Sequence, residues 1–111
     1  MRAEEEKQRE FFSLIGEFIR KWQQLEHTLL AAHRDLYPQT SPKWMSASRI
    51  IVQWQRDGVI SEEFAYRLRD LNRFRNALIH EHMNFPPGEV RERIAQIEDL
   101  LARIWTEIDM A

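Results

Sequence analysis

The feature that most constrains the fold is the spacing of apolar residues in the first third of the chain. Between Phe11 and Leu36 they recur at alternating intervals of four and three residues. This spacing places them on one face of an α-helix, whereas a strand would need alternation by two. The pattern predicts an amphipathic helix of about 26 residues that ends before Pro38. The stripe consists of Phe11, Ile15, Phe18, Trp22, Leu25, Leu29, Ala32 and Leu36.

Three further segments show helical spacing, and turn-forming residues separate them. The prolines fall within residues 37–42 and 84–88, and Gly58 supplies a third break. Ser41 is the predicted N-cap of a second helix of about 15 residues, and Ser61 that of the third. The stripes are Trp44, Ala47, Ile51 and Trp54; Phe64, Leu68, Leu71, position 75 and Leu78; and Val90, Ile94, Ile97, Leu101, Ile104 and Ile108.

Four amphipathic helices with short connections predict an all-α fold, an antiparallel four-helix bundle whose stripes share one core. A long helical hairpin that completes its core by dimerising is the alternative. A length of 111 residues fits a single domain over 1–111, with residues 1–10 as a charged N-terminal lead-in.

Composition excludes several classes of protein. The chain has no cysteine, which excludes disulfide scaffolds, thiolate zinc sites and thiol catalysis. No uncharged segment is long enough to span a membrane, and the charged first ten residues do not resemble a secretory signal. We therefore expect a cytoplasmic protein that does not contact a membrane.

The formal net charge of −2 argues against a general polyanion binder. That charge is unevenly distributed, however. Residues 66–80 carry four arginines and one aspartate, whereas residues 89–111 carry three arginines and six acidic residues. A local phosphate site remains compatible with the sequence.

Arg75 occupies a position in the third apolar stripe, where an unpaired guanidinium is costly. Two explanations stay open. Arg75 either extends to the bundle end or pairs with a core carboxylate such as Glu26, or it lines a cleft that binds an anion.

The segment Arg75-Asn76-Ala77-Leu78-Ile79-His80 resembles the R-[polar]-x3-H motif of HEPN domains, four-helix bundles of prokaryotic defence and toxin–antitoxin systems. The segment 58–61, Phe74 ahead of the motif and the stripe that starts at Val90 extend the similarity over roughly residues 50–108. They resemble HepT-type toxins, which are paired with minimal nucleotidyltransferase antitoxins.

This resemblance implies a metal-independent endoribonuclease that needs no cofactor and acts as a homodimer, with both motifs in one cleft. Arg75 and His80 would be catalytic, Asn76 would assist them, and RNA would be the substrate. HepT-type toxins typically have a tyrosine two residues after the histidine, which accepts a nucleotide from the antitoxin. His82 occupies that position in this chain.

Cleavage of RNA without a metal needs a base, an acid and a cation that holds the phosphate. A histidine transfers protons near neutral pH, and an arginine keeps its charge. Residues five apart on a straight helix lie about 140° around the axis and about 7.5 Å along it. Arg75 and His80 are therefore not expected to converge on one phosphate within one chain, and a single His80 cannot readily be both acid and base. Both arguments favour an isologous dimer.

Further RNA contacts are expected on the same segment. Tyr66 or Phe74 would stack on bases. The alternative is a solvated helix face on which Asp70 pairs with its neighbours. The candidate RNA-binding residues are Arg67, Arg69, Arg73 and His82.

Other residues carry weaker signals. His80 and His82 would point apart on a helix, so no metal site is predicted. His27 and His33 are expected to be structural or exposed. Core or dimer packing is expected for Trp22, Trp44, Trp54 and Trp105.

The function predicted is a toxin or defence effector that cleaves RNA, with a nucleotidyltransferase-type antitoxin as a candidate partner. A non-catalytic dimeric binding module, in which Arg75 and Asn76 stabilise the interface, is the alternative. A helical scaffold with Arg75 as a paired core ion is the third possibility.

Overall fold

A computed structural model describes residues 2–40 and 42–110, with Asp109 and Met110 described by their backbone alone. These residues form four helices: α1 (Arg2–Leu36), α2 (Ala47–Arg56), α3 (Glu62–Ile79) and α4 (Pro87–Met110). No strand occurs among them. The all-α helical bundle expected from the apolar stripes is confirmed.

Helix α1 is longer than its apolar stripe indicates. It spans 35 residues and begins at Arg2 rather than near Phe11. The charged segment before Phe11 is rich in glutamate, lysine, glutamine and arginine, which favour helix without burying an apolar face. Residues 2–10 are all exposed, so the stripe marks only the packed part of the helix.

Helix α2 is shorter than predicted, with 10 residues. Its N-cap is Ser46, whose hydroxyl oxygen accepts a hydrogen bond from the Arg49 amide at 3.3 Å. Ser41, the predicted cap, lies outside the described residues. Trp44 precedes the helix and is 72% exposed, so its expected place in the core of the chain is wrong. The predicted stop at Gly58 is confirmed by its left-handed φ of 70°.

Pairs of side chains show the direction of each helix. Between α3 and α4, residues later in one helix contact residues earlier in the other, so these two helices run in opposite directions. Between α1 and α4, and between α1 and α2, later residues contact later residues, so these helices run in the same direction. Helix α3 therefore runs against the other three, and residues 37–46 bring the chain back along α1 before α2 begins. The pairs are Asp70–Arg93 and Arg67–Asp99, Glu10–Arg91 and Lys21–Glu98, and His33–Trp54 and Tyr37–Asp57.

The apolar stripes meet in one core, with several shifts from the predicted positions. On α1, Leu14 rather than Ile15 is buried, and Leu36 is exposed. Leu100 is buried where Leu101 was expected, and Phe74 rather than position 75 continues the stripe on α3. The rings of Phe18 and Phe74 meet edge to face across the core, with centroids 5.4 Å apart. Each large side chain buried here contributes about 1.5–3 kcal/mol.

Membrane spanning requires a long helix of high mean hydropathy. No helix among the described residues meets both requirements.

Candidate active site

The last turn of α3 and the loop after it form a compact backbone unit. The Asn76 carbonyl oxygen accepts hydrogen bonds from the amides of His80 (2.9 Å) and Glu81 (3.1 Å), and that of Ala77 accepts one from Met83 (3.0 Å). Helix α3 ends at Ile79, and His80 is its C-cap. His80 keeps helical dihedral angles, so the chain leaves the helix axis only after this residue.

The three motif side chains are in direct contact. Arg75 Nη1 donates a hydrogen bond to Asn76 Oδ1 at 3.1 Å and lies 3.1 Å from His80 Nε2. A guanidinium has only donors, so a hydrogen bond here requires Nε2 of His80 as the acceptor. The arrangement places the imidazole and the guanidinium against each other.

This contact corrects the expectation that Arg75 and His80 cannot converge within one chain. His80 keeps helical dihedral angles as the C-cap of α3, so its position around the axis is close to the one assumed in that estimate. The reach of the long arginine side chain closes the remaining distance. One chain thus brings its own arginine and histidine together.

The charge of Arg75 is not neutralised within the described part of the chain. No carboxylate there forms an ion pair with it, so Glu26 is not its partner. Its Nε is buried without a hydrogen-bond partner, and such an orphaned donor costs about 1–3 kcal/mol. Pairing with a core carboxylate is therefore excluded among the described residues, and extension to the bundle end and anion binding both stay open for Arg75.

The candidate RNA-binding arginines fall into two groups. Arg69 and Arg73 precede Asn76 at intervals of seven and three residues and lie on the same helix face. Arg73 is exposed, and Arg69 is half-buried with its Nε unpartnered among the described residues. Arg67 lies on another face, paired with Glu63 (3.0 Å) and with Asp99 across the α3–α4 junction (3.6 Å).

His82 lies two residues after the catalytic candidate, in the loop tied to the end of α3. Its φ of 53° places it in the left-handed region, which a non-glycine residue rarely adopts. Its side chain is exposed. This backbone conformation helps the chain turn away from α3 directly after His80.

The two aromatic candidates for base stacking have different surroundings. Phe74 is 4% exposed and packs against Phe85, with centroids 4.6 Å apart, while the Arg93 guanidinium lies 5.0 Å from its ring centroid. Phe74 is therefore a core residue, and its predicted role as a stacking partner is wrong. Tyr66 is 56% exposed.

A groove of about 490 Å³ separates α3 from α4. Tyr66 lies at this groove, whose acidic side chains oppose a phosphate backbone. The motif residues line neither this groove nor the pocket described next. The acidic side chains of the groove are Asp70, Glu92 and Asp99.

Sequence reasoning missed a pocket of about 620 Å³ between α1 and the start of α4. It involves the charged lead-in and the loop beyond the motif, which are far apart in sequence. The one sequence feature that indicates this pocket is Phe85, an aromatic residue within the proline-containing segment 84–88. The lining residues are Lys7, Glu10, Phe11, Asn84, Phe85, Pro87, Gly88 and Arg91.

A buried polar cluster lies at the other end of α3, near its first residues. Trp54 Nε1 donates to Nδ1 of the buried His33 at 3.0 Å, and burial lowers the pKa of His33. Burial, and then the hydrogen bond to Asp57, raise the pKa of Tyr37 to about 12. The same hydrogen bond, 2.6 Å long, lowers the pKa of the Asp57 carboxyl. The structural role predicted for His33 is confirmed, and His27 is exposed.

A metal site in a protein usually needs several histidine or acidic side chains close together. Among the described side chains, residues 2–40 and 42–108, no group of three or more histidine, aspartate or glutamate residues is arranged to hold a metal ion.

Comparison with known proteins identifies the family. The profile of the family described as ribonuclease HepT-like matches residues 37–108, more than half of the chain and all of the motif region. No curated protein and no solved structure matches the chain significantly. The chain belongs to the HepT-like ribonuclease family.

Proposed function

We propose that this protein is a metal-independent endoribonuclease that acts in the cytoplasm as a toxin or defence effector. The observation that carries this proposal is the 3.1 Å contact between Arg75 Nη1 and His80 Nε2, made by a guanidinium without a carboxylate partner among the described residues. A cation without a counterion next to a neutral imidazole suits a phosphodiester whose neighbouring hydroxyl must lose a proton.

In the proposed reaction, Arg75 binds the phosphate oxygens of the scissile linkage through its guanidinium. This shift toward the phosphate frees Nε2 of His80, which takes the proton of the 2′-hydroxyl. The 2′-oxygen then bonds to phosphorus while the bond from phosphorus to the 5′-oxygen breaks. The products are a 2′,3′-cyclic phosphate and a 5′-hydroxyl.

Asn76 is assigned a positioning role. Its Oδ1 accepts a hydrogen bond from the same Nη1 that contacts His80. Because the amide is half-buried, it holds the guanidinium close to the reacting centre before substrate arrives. The guanidinium then needs only a short shift onto the phosphate, which limits the cost of reorienting the charge during the reaction.

The leaving 5′-oxygen needs a proton from a second group. His80 of a two-fold-related copy would serve as this acid, so we propose a homodimer in which two motifs face one cleft. Within one chain Arg75 and His80 already meet, so the dimer is required for the second proton transfer alone. Exposed apolar side chains on either side of the motif, Trp44, Val52 and Met83, offer surface for this contact.

The RNA backbone would follow the face of α3 that carries Arg69 and Arg73, continuing past His82. We assign Arg67 a smaller share of binding, because Glu63 and Asp99 already pair with it. A nucleotidyltransferase-type antitoxin remains the proposed controlling partner. With His82 in place of the usual tyrosine, that control would not use a tyrosine hydroxyl at this position.

Cleavage of purified cellular RNA in excess EDTA tests the proposal. The wild-type protein is expected to cut, whereas Arg75→Ala and His80→Ala should lose at least a hundredfold in rate. Arg103→Ala and His27→Ala are matched controls, since both residues are exposed and lie on other helices. If the wild type does not cut, the alternative of a non-catalytic binding module is favoured. If both motif variants cut normally, the catalytic assignment of Arg75 and His80 is wrong.

A further inference from the structure

A second pocket lies at the end of the bundle where a loop connects α3 to α4. The pocket of about 620 Å³ has one wall from α1 and another from the loop and first turn of α4. Phe11 and Phe85 supply apolar surface to it, and both are half-buried. The ring of Phe85 is held against Phe74, with centroids 4.6 Å apart. One wall of the pocket is thus a fixed aromatic surface.

Polar groups border this aromatic surface. Lys7 is exposed and makes no ion pair with any described residue, whereas Arg91 pairs with Glu10. Asn84 presents an amide, which offers both donors and an acceptor. The pocket therefore combines a stacking surface, one cation without a counterion and one group able to bond a base edge.

The pocket is close to the motif along the chain. Asn84 follows His80 by four residues, so their Cα atoms lie at most about 14 Å apart. The amide of Met83 donates to Ala77 of α3 at 3.0 Å, which ties this loop to the motif helix. At least the Asn84 edge of the pocket thus lies within about one or two nucleotides' reach of the candidate active site.

We propose that this pocket binds a base of single-stranded RNA in a nucleotide adjoining the scissile phosphate. The base would stack on Phe85 and Phe11, and Lys7 would hold a backbone phosphate. This inference rests on the proposed ribonuclease function. Charge complementarity supports the same path. The α3–α4 groove has three acidic side chains and only Arg67, which is already paired, whereas this pocket has Lys7 and Arg91 against the single acid Glu10.

Binding of an RNA that cannot be cleaved separates the pocket from the chemistry. The probe is a fluorescent single-stranded oligonucleotide with 2′-O-methyl riboses, measured by anisotropy. Phe11→Leu keeps apolar packing but removes the flat ring, and should weaken binding about tenfold. Lys7→Gln should weaken binding and reduce the slope of the logarithm of the binding constant against the logarithm of the salt concentration by about 0.7.

Matched controls lie outside the pocket. Phe12→Leu changes a neighbouring phenylalanine that is 68% exposed, and Lys43→Gln changes another exposed lysine. Both should bind like the wild type. Cleavage of unmodified RNA is measured with the same variants.

The outcomes distinguish this inference from the function on which it rests. If Phe11→Leu and Lys7→Gln bind the probe like the wild type while the wild type cleaves RNA, the proposal of a base-binding pocket is overturned and the ribonuclease proposal stands. If the wild type does not bind the probe, the proposal of a base-binding pocket is also overturned. If both pocket variants lose affinity but no variant or wild type cleaves RNA, the pocket stands and the ribonuclease proposal fails.

Discussion

Arg75 Nη1 lies 3.1 Å from His80 Nε2, although the two residues are five positions apart at the end of α3. The contact depends on the length of the arginine side chain. The His80 backbone keeps helical dihedral angles and its amide bonds to Asn76, so the guanidinium spans the last turn of α3 to meet the imidazole. The chain alone therefore assembles the cation and the base that the proposed reaction requires.

Removing the Asn76 amide should slow RNA cleavage without unfolding the protein. Asn76→Ala deletes the oxygen that accepts from Arg75 Nη1, so the guanidinium loses its fixed rotamer. We expect a rate about tenfold lower, equivalent to one hydrogen bond to a charged group. Asn72→Ala, one turn earlier and also half-buried, should cleave normally. Equal effects of the two substitutions would argue against a positioning role for Asn76.

The buried His33 should make stability depend on pH. Its folded-state pKa lies below the ordinary value of 6.5, so below about pH 6.5 the unfolded chain binds the extra proton more readily than the folded one. The free energy of unfolding should then fall by up to about 1.4 kcal/mol per pH unit as the pH decreases. Protonation would also remove the acceptor used by Trp54.

Urea denaturation between pH 7.5 and pH 5 measures this dependence. His33→Asn keeps an acceptor near the Nδ1 position but cannot titrate, so its stability should vary less with pH than that of the wild type. His27→Asn is the exposed control and should behave like the wild type. Identical pH profiles for the wild type and His33→Asn would contradict the assignment.

Tyr37 should lose its phenolic proton at an unusually high pH. The chain has two tyrosines, so a Tyr66→Phe variant isolates Tyr37 in an ultraviolet absorbance titration. Burial and the hydrogen bond to Asp57 raise the pKa of Tyr37 to about 12. Adding Asp57→Ala should lower the midpoint part of the way toward 10. A midpoint near 10 before that change would show that the contact between α1 and α2 does not form.

The ion pair between Arg93 and Asp70 should contribute more to stability than exposed pairs. Arg93 Nη1 lies 2.6 Å from Asp70 Oδ2, and its guanidinium covers the Phe74 ring. Arg93→Met removes both contacts and should lower the free energy of unfolding by about 1–3 kcal/mol. Arg103→Met breaks only exposed pairs on α4 and should cost less than about 1 kcal/mol. Equal losses of unfolding free energy for Arg93→Met and Arg103→Met, measured by chemical denaturation, would contradict this ranking.

The helix stripes could be predicted because each buried position repeats at the helical interval. Ser61 was also identifiable as a cap, and its hydroxyl accepts from the Phe64 amide at 3.1 Å. The start of α1 could not be predicted, since a charged helical extension leaves no apolar signal. The start of α2 was misplaced because Ser41 and Ser46 are both plausible caps, and packing rather than residue type selects Ser46.

The motif could be identified by resemblance, but not its geometry. The estimate that kept Arg75 apart from His80 compared positions on the helix and left out the reach of the arginine side chain, which meets the imidazole although His80 keeps helical dihedral angles. The predicted core position on α3 was one residue too late. Intervals of three and then four lead from Leu71 to Phe74 and on to Leu78, so the buried residue is Phe74 and Arg75 lies beside the stripe.

The most direct test of the central claim is the chemistry of the cut ends. A short RNA of defined sequence is incubated with the protein in excess EDTA, and the products are separated by mass. Catalysis by Arg75 and His80 predicts a 2′,3′-cyclic phosphate and a 5′-hydroxyl, no cut at a linkage that carries a single 2′-deoxy substitution, and loss of product with His80→Ala. Products ending in a 5′-phosphate, or undiminished cutting by His80→Ala, would contradict it.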